Sequence, residues 1–261
     1  MCQLLGMSCK EPATINFSLE GFVARGGLTD EHKDGWGIAF FRNNAFDVFL
    51  DHLPAANSAL VAEISSAEIK SKTIIAHIRK ATIGDVKISN CHPFQRELWG
   101  KTWLFCHNGH LKDFSPTLSG QFQAQGDTDS ELAFCYLLQQ LEQYFPDGMP
   151  DTSVLFNTLG ELSREIEKFG IFNIILSNGD LLFTFCSTSL VYVERQYPFT
   201  TVTLVDKDIS LDLSKHNTEN DQMILVATKP LTTNEDWKVY KQGESRMYRE
   251  GEVLHKNFST F

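Results

Sequence analysis

Residues 171–185 read IFNIILSNGDLLFTF, two apolar runs around Ser177-Asn178-Gly179-Asp180. Asn-Gly between two such runs is the strongest short-range signal of a β-hairpin, because both residues tolerate the positive φ that a tight turn requires. The runs Ile171 to Leu176 and Leu181 to Phe185 are therefore taken as antiparallel strands. Working outward, the same pattern recurs. Trp36 to Phe41 and Phe46 to Leu50 flank Arg42-Asn43-Asn44-Ala45, which reads as a hairpin with a longer loop. Thr73 to Ile78, Thr102 to Cys106, Val191 to Glu194, Thr201 to Val205, Met223 to Ala227 and Met247 to Leu254 are further strand candidates, the last broken by a turn at Glu250-Gly251.

Helical spacing appears in three places. Ile15 to Arg25 is amphipathic and stops at Gly26-Gly27. Thr128-Asp129-Ser130-Glu131 has the spacing of a capping box, and Leu132, Cys135, Leu138 and Leu141 follow at helical intervals. Thr152 to Phe169 repeats the pattern through Leu155, Leu159, Leu162 and Ile166 and ends at Gly170. Gln143 to Thr152 reads as the loop between two helices. No internal repeat is visible. The expectation is one α+β domain, residues 2–261, of antiparallel hairpins with helices packed on their faces.

Composition excludes several function classes. The 261 residues carry 23 Lys and Arg against 33 Asp and Glu, a formal charge of −10. Non-specific nucleic-acid binding needs an excess of cations, and so does attraction to an anionic membrane. No run approaches the roughly 20 apolar residues of a membrane helix, and the first residues do not resemble a signal peptide. The six cysteines contain no C-x-x-C pair, so a zinc site is poorly supported. Reduced thiols in a cytoplasmic setting are expected. His32, His52, His110 and His216 lie in polar stretches and read as surface residues, and Trp36 reads as core or pocket wall.

Candidate chemistry begins at Cys2. Removal of Met1 would leave a thiol and a free α-amine on one residue. An α-amine has a reference pKa of about 7.7–8.0, so near neutral pH it can take the thiol proton. Cys2 then supplies nucleophile and base together. His107-Asn108-Gly109 follows the strand that ends at Cys106. A side-chain amide and an unhindered backbone N–H there can aim two donors at a developing oxyanion, although Asn-Gly is also a common turn. Arg79, closing the strand Thr73 to Ile78, can grip a carboxylate through two parallel hydrogen bonds. Asp129 opens a helix, where it can meet an ammonium group or simply complement the helix dipole. The pair would suit a free amino acid.

Taken in order, Met1-Cys2, Arg25-Gly26, Asp34-Gly35-Trp36-Gly37, His77-Ile78-Arg79, Asn90-Cys91-His92-Pro93-Phe94, His107-Asn108-Gly109 and Thr128-Asp129-Ser130-Glu131 resemble the class II glutamine amidotransferase domain, an N-terminal-nucleophile hydrolase. Ala227-Thr228-Lys229-Pro230-Leu231-Thr232 and Phe185-Cys186-Ser187-Thr188 resemble its stand-alone, YafJ-like members. The resemblance implies four layers, αββα, with two stacked antiparallel sheets and the nucleophile at a strand start. It implies that Cys2 forms a γ-glutamyl thioester from glutamine and that Asn108 and the Gly109 N–H hold the oxyanion. It further implies that Arg79 binds the α-carboxylate and Asp129 the α-ammonium, with His107 in the substrate site. Arg25, Trp36, His92 and Thr128 are expected in support, and no metal or cofactor is implied.

Lys80 departs from the aromatic residue that amino-sugar-forming relatives often carry after the arginine. No phosphate-binding loop is visible, so an acceptor site, if any, would lie on a partner enzyme. Two alternatives accompany this reading. The same site could cleave another γ-glutamyl amide, or the chain could be a non-catalytic regulatory subunit.

Overall fold

The computed structural model describes residues 2–258, and every count below is of those residues. Met1 and residues 259–261, including the last residues of the expected 2–261 domain, lie outside it.

The first strand, β1 (Gln3–Ala13), leads into helix α1 (Asn16–Ala24). Strands β2 (Trp36–Arg42) and β3 (Ala45–Asp51) form a hairpin, followed by α2 (Ala59–Ser66) and β4 (Ser71–Ile78). Next come β5 (Phe94–Leu98) and β6 (Lys101–Leu111). Helices α3 (Asp129–Tyr144) and α4 (Thr152–Glu167) precede β7 (Gly170–Ser177), β8 (Leu182–Cys186) and β9 (Val191–Gln196). The short strands β10 (Thr201–Thr203) and β11 (Ser210–Asp212) pair with each other. The chain finishes with β12 (Gln222–Ala227), β13 (Lys238–Val239), β14 (Glu244–Arg249) and β15 (Glu252–Phe258).

Seven strands make one antiparallel sheet in the order β13-β9-β12-β1-β4-β2-β3. Six make the second, β15-β14-β8-β7-β6-β5. Leu4, Ala39, Ile75, Leu104, Cys106, Ile175 and Val226 fill the space between the sheets. Leu5, Trp36, Ile38 and Ile74 pack the outer face of the first sheet against Leu19 and Phe22 of α1 and Val61 and Ile64 of α2. Phe105, Phe172 and Phe185 pack the outer face of the second against Phe134 and Leu138 of α3 and Leu159 of α4. The result is the four-layer αββα sandwich, two stacked antiparallel sheets covered by helices on both outer faces.

The structure corrects several readings. The β2–β3 connection is not a longer loop but a two-residue turn, with Asn43 at φ 52 and Asn44 at φ 62. That is the left-handed geometry of a tight hairpin. Strand β6 does not stop at Cys106: it runs through His107, Asn108 and Gly109 to Leu111, paired throughout with β7. Strand β1 and helix α2 carry no pattern that the periodicities detect. β1 is buried on both faces along its first seven residues, so no polar alternation marks it. His32 is buried rather than exposed, and sits beside Asp30. The capping box is half made. Thr128 Oγ1 accepts the Glu131 N–H at 3.2 Å, but the Glu131 carboxylate instead takes the N–H groups of Gln125 and Gly126.

Candidate active site

Strand alternation decides which side chains meet. Successive residues of a strand point to opposite faces. Leu4 lies between the sheets, so Cys2 is on the same side of β1. Ile75 lies there too, which brings His77 and Arg79 to that face, and Cys106 brings Asn108. Register completes the arrangement. β1 pairs Gln3 with Ile78 and Leu4 with His77, so Cys2 stands beside Arg79 and Lys80.

The Cys2 thiol is half-buried and engages one residue. Sγ is 3.5 Å from the Lys80 carbonyl, to which it donates, and 3.4 Å from the Lys80 N–H, which it accepts. Burial pushes the thiol pKa up. The Lys80 N–H and the Arg79 charge pull it down, and Asp129 pushes it up. Arg79 and Asp129 thus lie near enough for their charges to act on Cys2. The net upward shift keeps the sulfur protonated near neutrality.

Arg79 is buried, and its guanidinium donates to three carbonyls of the loop that follows it. Nη1 is 2.8 Å from Asp85 O, and Nη2 is 2.9 Å from Ile83 O and 3.1 Å from Gly84 O. A guanidinium has five N–H donors, so capacity remains for a ligand. Asn90 ties this loop to the start of α3. Its Nδ2 donates to Asp85 O at 2.9 Å and Asp127 Oδ1 at 2.5 Å, and its Oδ1 accepts the Asp127 N–H. Asp129 follows two residues later. Its Oδ2 accepts the Leu111 N–H at 2.7 Å and its Oδ1 the Ser130 N–H at 2.9 Å, which leaves carboxylate lone pairs for a cation.

Asn108 is completely buried. Its Nδ2 lies 3.4 Å from Thr228 Oγ1, and its Oδ1 has no hydrogen-bond partner among the described residues. Gly109 must be glycine, since a Cβ there would sit 1.8 Å from the Ile171 carbonyl. The Lys112 N–H bonds Phe169 O across the sheet. The two-residue alternation of an antiparallel ladder then points Gly109's N–H away from β7. Beyond Phe105 that edge of β6 has no pairing strand. His77 reaches the same edge, where its Nε2 donates to the His107 carbonyl at 3.2 Å.

Other expected residues fall elsewhere. His107 points to the opposite face from Asn108, under α3. Its Nε2 donates to Ile171 O at 2.9 Å and its Nδ1 accepts from Ser130 at 2.8 Å. Trp36 sits on the outer face with α1 and is not a pocket wall. His92 stacks between His77 and Phe94, at ring distances of 4.1 and 4.3 Å. Arg25 holds the approach to the nucleophile strand. It pairs with Asp206 at 2.8 Å and donates to Gln3 Oε1 and to the carbonyls of Lys229 and Pro230. Thr228, which the sequence offers only inside the 227–232 motif, and Asn173 carry no role that the sequence signals. Asn173 faces Asn108 in register, donates to its carbonyl at 3.0 Å, and accepts the N–H groups of Ser187, Thr188 and Ser189.

The family model for class II glutamine amidotransferases matches residues 1–260. The chain belongs to that family. It is 42% identical over 252 residues to YafJ of Escherichia coli K12, covering 97% of this chain and 99% of that protein, which is itself named as a candidate glutamine amidotransferase. A second relative, a Haemophilus influenzae protein named in the same way, is 42% identical over 260 residues, or 100% of this chain and 88% of that one. The crystal structure of a predicted glutamine amidotransferase from Pseudomonas aeruginosa superposes with a TM-score of 0.77 at 41% identity, covering 97% of this chain and all of that one. The Bacillus subtilis glutamine phosphoribosylpyrophosphate amidotransferase shares the fold at 14% identity and a TM-score of 0.51, over 98% of this chain and 49% of its own. Among the described residues, no helix of this amidotransferase-family chain is long and apolar enough to cross a membrane.

Proposed function

We propose that the chain hydrolyses the side-chain amide of glutamine through Cys2, giving glutamate and ammonia. One observation carries this reading: alternation and register bring Cys2 and Asn108 to the same inter-sheet face, within reach of the charges of Arg79 and Asp129.

A thiol whose pKa is raised needs a base, and among the described residues the hydrogen bonds of Sγ involve only the Lys80 backbone. The α-amine of Cys2, freed by removal of Met1, is the group at hand. It takes the thiol proton as sulfur attacks the amide carbon. The carbonyl electrons move onto oxygen, where Asn108 Nδ2 and the Gly109 N–H donate to them. Collapse breaks the C–N bond, and the ammonium proton goes to the departing ammonia. Water then attacks the γ-glutamyl thioester and gives a proton to the amine; collapse breaks the C–S bond, glutamate leaves, and the amine returns the proton to sulfur. Arg79 binds the α-carboxylate and Asp129 the α-ammonium, each with the hydrogen-bonding capacity its loop leaves over. No metal or organic cofactor enters these steps. The ammonia acceptor would belong to a partner enzyme, and the six free cysteines suit the reducing cytoplasm.

A second reading is cleavage of a larger γ-glutamyl amide, because Arg79 and Asp129 would hold only the glutamyl end and leave the other side of the amide unread. Intact mass before and after treatment with 6-diazo-5-oxo-norleucine tests the common mechanism. Loss of Met1 and a single adduct on Cys2, absent from Cys2→Ala, is expected. Retained Met1 with no adduct would make the chain a non-catalytic subunit. A panel of γ-glutamyl compounds then separates the two substrate readings.

A further inference from the structure

Thr228 stands where β12 leaves the first sheet. β1 and β12 pair Leu5 with Ala227, so Leu4 is opposite Thr228. In an antiparallel pair of the hydrogen-bonded type, each residue gives its N–H to the other's carbonyl. Here only half of that exchange is made. The Thr228 N–H donates to Leu4 O at 3.1 Å, but the Leu4 N–H donates to the Thr228 hydroxyl at 2.9 Å. The Thr228 carbonyl has turned away and accepts from Ser189 Oγ at 3.3 Å. A side-chain oxygen thus replaces a ladder carbonyl two residues from the nucleophile, and the same oxygen lies against the Asn108 amide.

The hydrogen bonds of this trio are half satisfied. Thr228 Oγ1 accepts from both Leu4 N and Asn108 Nδ2, which uses its two lone pairs and leaves its proton without an acceptor among the described residues. Asn108 Oδ1 is buried with no partner among the described residues. A buried acceptor without a donor costs about 1–3 kcal/mol. Half a turn of the amide about its Cβ–Cγ bond removes both faults. The hydroxyl then donates to Oδ1, keeps the Leu4 N–H, and frees both Nδ2 protons on the side that Oδ1 now occupies.

We infer that Thr228 is a positioning residue: its hydroxyl, anchored by the Leu4 N–H, selects the Asn108 amide orientation that offers Nδ2 to the oxyanion. This rests on the reaction proposed above. Threonine suits the task because its hydroxyl accepts from one neighbour and donates to the other. Valine has the same shape and can do neither.

The test measures glutamine hydrolysis by the processed full-length chain. Thr228→Val should lower kcat about 10–100-fold, below the loss expected for removing the donor outright, while KM stays within about twofold because the α-amino-acid anchors are untouched. Thr228→Ser, which keeps the hydroxyl, should restore kcat. In an Asn108→Ala background, Thr228→Val should change kcat little, since no amide remains to orient. Wild-type kcat in Thr228→Val, or losses that multiply in the double variant, would overturn the inference. A second readout needs neither activity nor a valine variant that folds. In isotopically labelled wild-type protein, nuclear Overhauser contacts report whether the Asn108 amide protons face Thr228. Amide protons facing away support the inference, and amide protons held against Thr228 with and without glutamate overturn it. Absence of wild-type hydrolysis would instead count against the proposed function, with the amide orientation still read independently.

Discussion

Cys2, Asn108 and Arg79 each do something that their residue type alone leaves open. Cysteine is usually a small buried apolar residue, and five of the six here are buried. Cys2 differs because its thiol is only half-buried and sits beside a charged arginine. Arg79 already serves structure, since it gathers the carbonyls of Ile83, Gly84 and Asp85. A lysine there would keep the charge but lose the planar fork. Arg79→Lys should therefore raise the KM for glutamine by about 10–100-fold, the worth of roughly one charge-assisted hydrogen bond, with a smaller change in kcat. Asn108→Ala should show the opposite split, a fall in kcat of about 10²–10³ with KM little changed. Steady-state kinetics on the two variants checks the pair. Equal effects on both constants would mean that the anchor and the oxyanion donor had been misassigned.

The residues of the site are set by joints between elements. Asn90 bridges the loop after β4 to Asp127, the residue before the α3 cap, and is completely buried. Gly84 and Gly126 pack against it so closely that a Cβ on either would lie 2.9 or 2.2 Å from its amide. The Asn90 amide is the buried part of this joint, with the exposed Lys87–Asp127 ion pair at 2.9 Å beside it. Asn90→Ala should raise KM at least tenfold while the rate of Cys2 alkylation by iodoacetamide, which needs no α-amino-acid anchor, stays near wild type. Iodoacetamide labelling that falls as far as glutamine binding would show a general collapse instead. Elements also divide by legibility. The Asn178-Gly179 hairpin and the Thr128 cap were readable because their signals are local: a turn needs positive φ, and a cap needs one oxygen. Strand β6 was cut short because His107-Asn108-Gly109 looks like a turn. The His107 ring is tolerated inside the sheet because Ser130 and Ile171, remote in the chain, satisfy both its nitrogens.

The sandwich as a whole buries ionisable groups in their neutral forms, which predicts how it responds to acid. Burial lowers the pKa of His77 to about 3 and that of His92 well below its ordinary value. The unfolded chain takes up a proton on each near pH 6.5, and the folded chain does not until much lower. Their contribution to stability is complete above pH 6.5 and is lost as pH falls toward 3. Burial lowers His107 as well, and each such group adds up to about 1.4 kcal/mol per pH unit to the slope while it is protonated in the unfolded chain and neutral in the folded one. Urea unfolding between about pH 6 and 4.5 checks it, and His92→Phe, which keeps the ring contact with Phe94, should lower the slope by about 1.4 kcal/mol per pH unit. An unchanged slope would mean that His92 is not held neutral. On the alkaline side the sign reverses. Cys9 and Cys186 are pushed up to about 12, so stability should decline above about pH 9, as the unfolded thiols ionise first.

Chain patterning was enough to show antiparallel hairpins, two long amphipathic helices and an acidic surface, since periodicity and turn chemistry are properties of neighbouring residues. The ordered motifs from Cys2 to Asp129 were enough to point to the family. Folding decided the rest. Strand β1 could not be read because its first residues are buried on both sides, between two helices and a second sheet. Asn108 and His107 are adjacent in the chain, yet they face opposite sides of β6. Thr228, 226 positions after Cys2, reaches the nucleophile strand only because β12 pairs with β1. Such contacts depend on strand order and register, which long-range burial sets and no local pattern encodes.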